Sequence, residues 1–179
     1  MLESSEKLNN HAVKLAASGD YEDAIACLRR AITVECKNHL LWYNLALVYR
    51  DAGNLSKARA AMECSYKMNP ANEEALENLV DICLDQGDLD RALEVSLTGI
   101  ETNNKNPRFW NLAGVVYGAK GKTQEAMSAF EKALSIFPAY TEALCNLGDV
   151  YAKAGNMMAA YECRQRVKPL IEAAQKVSL

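Results

Sequence analysis

Apolar residues recur along the chain three and four residues apart, the spacing of one face of an α-helix, and the whole pattern returns every 34 residues. Gly19, Gly53, Gly87, Gly121 and Gly155 mark that period. They set a frame of five units without insertions: 5–38, 39–72, 73–106, 107–140 and 141–174. Counting 1 to 34 within a unit, positions 4, 7 and 11 form an apolar stripe, with Leu8, Trp42, Leu76, Trp110 and Leu144 at position 4. Position 8 is small or modest (Ala12, Ala46, Val80, Gly114, Gly148), and position 20 is always Ala. The pattern predicts two helices per unit. Gly at position 15 ends the first by taking positive φ. Asp20, Asn54, Asp88 and Asn156 at position 16 are N-cap residues for the second, and Lys122 is the exception. The small residues at 8 and 20 are expected to face each other and let the helices close up. Asn106-Pro107 reads as a cap followed by Pro at the first helical position. No alternation typical of strands occurs, so the expectation is an all-α chain.

A fixed period of this length signals stacked repeats. Unit 4 carries Trp110, Ala113, Gly114, Tyr117, Gly121, Ala126, Phe130, Ala133 and Pro138. Unit 2 has Trp42, Leu45, Ala46, Tyr49, Gly53, Ala58 and Pro70, and unit 5 has Leu144, Leu147, Gly148, Tyr151, Gly155 and Ala160. In these residues the sequence resembles the tetratricopeptide repeat family. The resemblance implies a right-handed superhelical α-solenoid of stacked antiparallel helix pairs, one domain over 1–179 with a C-terminal cap at 164–179. Units 1 and 3 depart from the family pattern, with His11 at position 7 and with Ser96 and Gly99 at positions 24 and 27. Unit 5 has Arg164 where a large apolar residue is usual, and the polar run 162–168 suits a terminal repeat. Pro169 is expected to interrupt the last helix, leaving Leu170 and Ile171 to fold a final turn back over the end.

The composition narrows the function. With 20 Lys+Arg against 23 Asp+Glu, the net charge of −3 argues against nucleic acid and against an anionic membrane surface. There is no basic, apolar leader at the N-terminus and no apolar run long enough to span a bilayer. The six Cys include no C-x-x-C, so reduced thiols and a cytoplasmic location are expected. Cys27, Cys64, Cys83 and Cys163 read as small core residues and Cys145 as an exposed thiol. Cys36 and His39 form a lone pair where a structural zinc needs four ligands. No phosphate loop or nucleophile elbow occurs, so neither an enzyme nor a cofactor is expected.

The resemblance puts positions 2, 5, 6, 9, 12 and 13 of each first helix on a concave, ligand-binding face. Position 6 is Asn10, Asn44, Asn78 and Asn146, broken by Leu112 with Asn111 beside it. An amide offers donor and acceptor, so this ladder is a candidate for holding peptide main chain; the plainer alternative is bonding to a neighbouring helix. Unit 3 has nine acidic and two basic residues, a net −7 against +4 for the rest. Its Glu74, Glu77, Asp81 and Asp85 fall on the binding face, relieved at most by Arg50 or Arg108 alongside. Leu40, Tyr43 and Leu47 give unit 2 apolar groups on the same face. The Lys/Asn/Arg constellation with which some relatives clamp a C-terminal carboxylate is supplied by no three successive units; a start at unit 2 offers Arg108 but lacks the preceding Lys. The expectation is therefore an adaptor or scaffold that binds a protein segment with apolar and basic residues. Self-association, and a secretion-type chaperone of this repeat class, are the alternatives.

Overall fold

The computed structural model describes residues 4–177, and their side chains to 173. Among these residues there are ten helices and no strand. The first helices of the repeats are α1 (Ser5–Ser18), α3 (His39–Asp51), α5 (Glu73–Asp85), α7 (Pro107–Ala119) and α9 (Thr141–Lys153). The second helices are α2 (Tyr21–Val34), α4 (Leu55–Met68), α6 (Leu89–Thr102), α8 (Thr123–Ile136) and α10 (Met157–Val177). Contacts divide the chain into two compact units, 1–88 and 89–179, where one domain is expected from the frame. Within the first unit α1 to α5 pack each on the next and α1 also touches α3; within the second, α6 to α10 do likewise and α7 touches α9. Contacts confined to sequence neighbours are the rule in repeat arrays, and they leave few long-range contacts to bind such a chain into one cluster.

Each first helix ends at its position-15 glycine, whose φ lies between 72° and 87°. The next residue closes a Schellman bond to the carbonyl five residues back, as from Asn54 N–H to Tyr49 O at 2.8 Å. The second helices start as expected at Asn54 and Asn156, whose side chains accept from Lys57 and Ala159 N–H. Asp20 does not cap; its carboxylate accepts from the Ser18 hydroxyl. Asp88 accepts from Arg59 at 2.8 Å. The first helices have a cap series of their own in Ser4, Asn38, Asn72 and Asn106. Three of these are Asn at position 34, a repeat-wide signal beyond the single Asn106-Pro107 pair.

The core refines the predicted face-to-face packing. All five position-20 alanines are buried. At Gly114, though, it is Phe130 of position 24 that fills the space; a Cβ there would lie 2.5 Å from its ring. At Gly148 the nearest neighbours are Cys163 Cβ at 3.2 Å and the Ala160 carbonyl at 3.7 Å. One oddity of unit 3 has its partner in unit 4: the buried Phe109 ring lies where a Gly99 side chain would be, while buried Ser96 bonds the Ala92 carbonyl of its own helix. Cys83 and Cys163 are buried as expected, but Cys27 and Cys64 are only half-buried: position 26 of Cys64 lies at the edge of the second helix's packed stripe, while position 23 of Cys27 is buried in the other four units. Trp42 and Trp110 anchor the loops before their helices, each indole N–H donating to the carbonyl six residues earlier, at 2.9 Å.

Pro169 does not interrupt the last helix; α10 runs through it to Val177. The carbonyl that proline leaves without a helical N–H belongs to Gln165, which is exposed and open to water. The run 162–168 keeps Glu162, Arg164, Gln165, Arg166 and Lys168 exposed while Cys163 and Val167 are buried. The Tyr151 hydroxyl donates to Glu131 at 2.8 Å, and that carboxylate pushes the phenol up to about 12.

Two outcomes follow. Gly99→Ala should lower stability by about 1–3 kcal/mol through overpacking against Phe109. Gly118→Ala, in a helix with open space around it, should raise stability by roughly 0.5–1 kcal/mol; denaturant unfolding measures both. In a spectrophotometric titration one tyrosine should ionise near pH 12, and Glu131→Ala should return it towards about 10. Because the folded value lies above the unfolded one, the stabilisation from this bond is present below pH about 10 and lost on the way to 12.

Candidate functional site

In the unit 1–88 the candidate residues come from α1, α3 and α5. Asn10 is exposed on α1. Asn44 Nδ2 donates to Asn9 Oδ1 at 2.7 Å, joining α3 to α1. One repeat on, Asn78 Nδ2 donates to the Tyr43 hydroxyl at 3.2 Å and to the Glu74 carbonyl at 2.8 Å. Asn78 Oδ1 accepts from Arg50 Nη1 at 2.8 Å. The position-6 amides thus bond the position-5 group of the preceding repeat, the plainer of the two alternatives. Arg50, one of the two residues considered as relief for the α5 acids, bonds Asn78 and lies 3.4 Å from Asp51.

Burial, then the Glu74 carboxylate close by, push the Tyr43 hydroxyl above the ordinary tyrosine range, against the opposite pull of the Asn78 amide. Glu74 and Asp85 are exposed, and Glu77 and Asp81 are half-buried. The like-charge pairs Glu77–Asp81 and Asp81–Asp85 each cost on the order of 0.2–0.5 kcal/mol, and α5 contains no Lys or Arg. Leu40 is 52% exposed, while Tyr43 and Leu47 are half-buried. Tyr43 is therefore the hinge between the apolar residues of α3 and the acids of α5.

In the unit 89–179 the ladder continues on α7 and α9. Asn146 Nδ2 donates to Asn111 Oδ1 at 3.0 Å, and Asn111 Nδ2 donates to Glu142 Oε1 at 2.9 Å. Asn111 is fully buried, so it bridges two helices instead of offering an exposed contact. Leu112, which breaks the ladder, is buried too, and Arg108 is exposed. The pairing partners Asn9 and Asn111 were missing from the ladder as read from position 6 alone. The signal for them is a polar group 35 residues before each ladder amide. Such a surface of amides, carboxylates and apolar groups can hold N–H donors, cations and apolar side chains. Among the described residues no three His, Cys, Asp or Glu are grouped to hold a metal ion, and no helix is long and apolar enough to cross a membrane. His39 Nε2 lies 3.3 Å from Asn69 Nδ2.

The family model described as Tetratricopeptide repeat matches residues 10–64 and 43–106, together more than half of the chain, and one described as TPR repeat matches 117–155. A curated relative, BBSome complex member bbs-4 of Caenorhabditis elegans, is 26% identical over 130 residues, covering 73% of this chain and 28% of that protein. The chain spans less than two thirds of the length of the curated relatives it matches. Among solved structures, MamA (residues 41 to the end) from Desulfovibrio magneticus RS-1 is similar at a TM-score of 0.82 and 18% identity, covering 97% of this chain and 98% of that one. YrrB, described as a TPR protein with an unusual peptide-binding site, is similar at 0.71 and 19% identity, covering 98% and 93%.

Asn111→Ala should lower stability by about 1–3 kcal/mol, because it leaves the Asn146 amide and the Glu142 carboxylate without their buried partner. Asn10→Ala, at an exposed site, should change it by less than about 0.5 kcal/mol. Thermal or denaturant unfolding of the two variants checks the contrast.

Proposed function

The chain belongs to the tetratricopeptide repeat family, and on that premise we propose that it is a non-catalytic, cytoplasmic adaptor or scaffold whose unit 1–88 binds a segment of another protein. The segment carries apolar side chains for Leu40, Tyr43 and Leu47 and basic ones for Glu74, Glu77, Asp81 and Asp85. Asn10 and Asn44 are the amides suited to its main chain. Asn44 has one amide hydrogen engaged by Asn9, and an amide has two donors and an acceptor. Asn78 is more fully engaged and serves to hold Tyr43. Arg108 and Asn146 belong to the corresponding face of unit 89–179, with Asn111 supporting Asn146 from beneath. The observation that carries the reading is the bond between Asn78 of α5, a helix whose charged residues are all acidic, and Tyr43 of α3, one turn from exposed Leu40. Exposed apolar groups together with a helix whose charged residues are all acidic suit a segment with apolar and basic side chains. The peptide-binding site named for the similar YrrB adds support from the fold.

A second reading is self-association, favoured by Met157, Met158 and Tyr161, which are 62%, 70% and 58% exposed at the start of α10. Light scattering across concentrations separates the two: the adaptor reading expects a monomer. Reversing Glu77 and Asp81 to Lys should weaken partner capture by about tenfold or more and flatten its salt dependence, with helical circular dichroism unchanged. Pull-down with mass spectrometry, run on native and reversed chains, is the measurement. Equal recovery of the same partners would remove the acidic face from the argument.

A further inference from the structure

A second groove lies elsewhere in unit 1–88, between α2 and α4 with α3 as its floor, and has a volume of about 480 Å³. Ile32, Trp42, Leu45 and Tyr49 make it apolar, and the small Ala60 and Ala61 leave it open. The Trp42 ring is fixed by the bond from its N–H to the Cys36 carbonyl. Two cations stand among the lining residues: exposed Arg29, and Lys57, whose Nζ sits 5.6 Å from the centre of the Tyr49 ring. No carboxylate lines the groove.

The same groove recurs three repeats later in unit 89–179, between α8 and α10 over α9, and its chemistry differs. Arg29 is replaced by Glu131, Ala60 by Glu162, Lys57 by Ala159 and Cys64 by Arg166. Tyr151, the equivalent of Tyr49, has its hydroxyl bonded to Glu131. Where the repeat supplies its own acid, the tyrosine is satisfied internally. Where it supplies Arg29 and Lys57, the complementary anion has to come from outside.

We infer that the α2–α3–α4 groove is a docking site for an acidic segment of a partner protein, with one or two large apolar side chains in the slot and flanking carboxylates on Arg29 and Lys57. The volume lies within the range of built ligand sites and holds a few side chains. A carboxylate at Lys57 gains from a cation already positioned over an aromatic face. The charge preference is opposite to that proposed for the α3–α5 face, so the two surfaces select different segments.

The test is a random-peptide display selection against the full chain, followed by titration of a synthetic winning peptide. Trp42 fluorescence in a Trp110→Phe background reports binding. The expected result is a peptide class in which Asp or Glu flanks Leu, Phe or Trp. Its affinity should fall about tenfold or more in Arg29→Glu/Lys57→Glu and in the groove-filling Ala60→Trp, and weaken with salt. It should be unchanged in Glu77→Lys/Asp81→Lys, which separates this site from the α3–α5 face. Circular dichroism confirms that each variant is folded, and the exposed pair Arg29 and Lys57 carries the test if Ala60→Trp is not. A selection without acidic enrichment, or with affinity indifferent to Arg29→Glu/Lys57→Glu, overturns the inference. So does binding to vesicles of phosphatidylserine and phosphatidylcholine in the absence of any peptide class, which would make the cations a lipid contact.

Discussion

The left-handed glycine at position 15 is the constraint on which the rest depends. A helix that is to fold back on itself within two residues needs a backbone reversal that L side chains resist, at a cost on the order of 1 kcal/mol or more. Five glycines with φ between 72° and 87° supply it, and the Schellman bond at each one satisfies a carbonyl the helix end would otherwise expose. Only with the turn fixed in length can position 8 of the first helix meet the second helix at a constant height. That is why the period holds at 34 residues without one insertion.

Given that turn, packing becomes a local exchange of volume. Gly114 accommodates Phe130, and Gly99 accommodates Phe109 from the following repeat. The second exchange explains a departure that looks like weakness in the sequence. Ser96 and Gly99 read as a poor match when unit 3 is judged alone, yet Gly99 is the vacancy that a bulky neighbour requires. The helices and their ends were legible because they follow from periodicity and turn chemistry within one unit. The pairing of position 27 with position 3 of the next unit was not, because it depends on how consecutive repeats stack. The last helix teaches a related point. Pro169 is a strong breaker in isolation, but its cost falls when the freed carbonyl, here that of exposed Gln165, can reach water.

The candidate site was legible in its residue types and less so in its wiring. The stripe and its charge follow from spacing, and the family resemblance implies that it is the binding face. What spacing does not give is that three of the four ladder amides are already bonded, Asn44 to Asn9, Asn78 to Tyr43 and Asn146 to Asn111, across a register of 35 residues. A residue counted at position 6 has its partner at position 5 of the unit before, and a reading confined to one column of the repeat misses it. The consequence is a division of labour among chemically equal asparagines. Fully buried Asn111 ties two helices together, while exposed Asn10 is free to meet a ligand.

This division bears on how a repeat chain acquires specificity. The backbone geometry is nearly the same in every unit, so selectivity has to come from side chains at positions the packing leaves open. The groove over α3 and the groove over α9 have the same floor tyrosine, yet one is rimmed by Arg29 and Lys57 and the other by Glu131, Glu162 and Arg166. A change of sign at position 25 decides whether that tyrosine bonds a carboxylate of its own chain or lies beside a cationic rim. The core fixes where such positions stand, and the charge placed on them sets what each unit is able to bind.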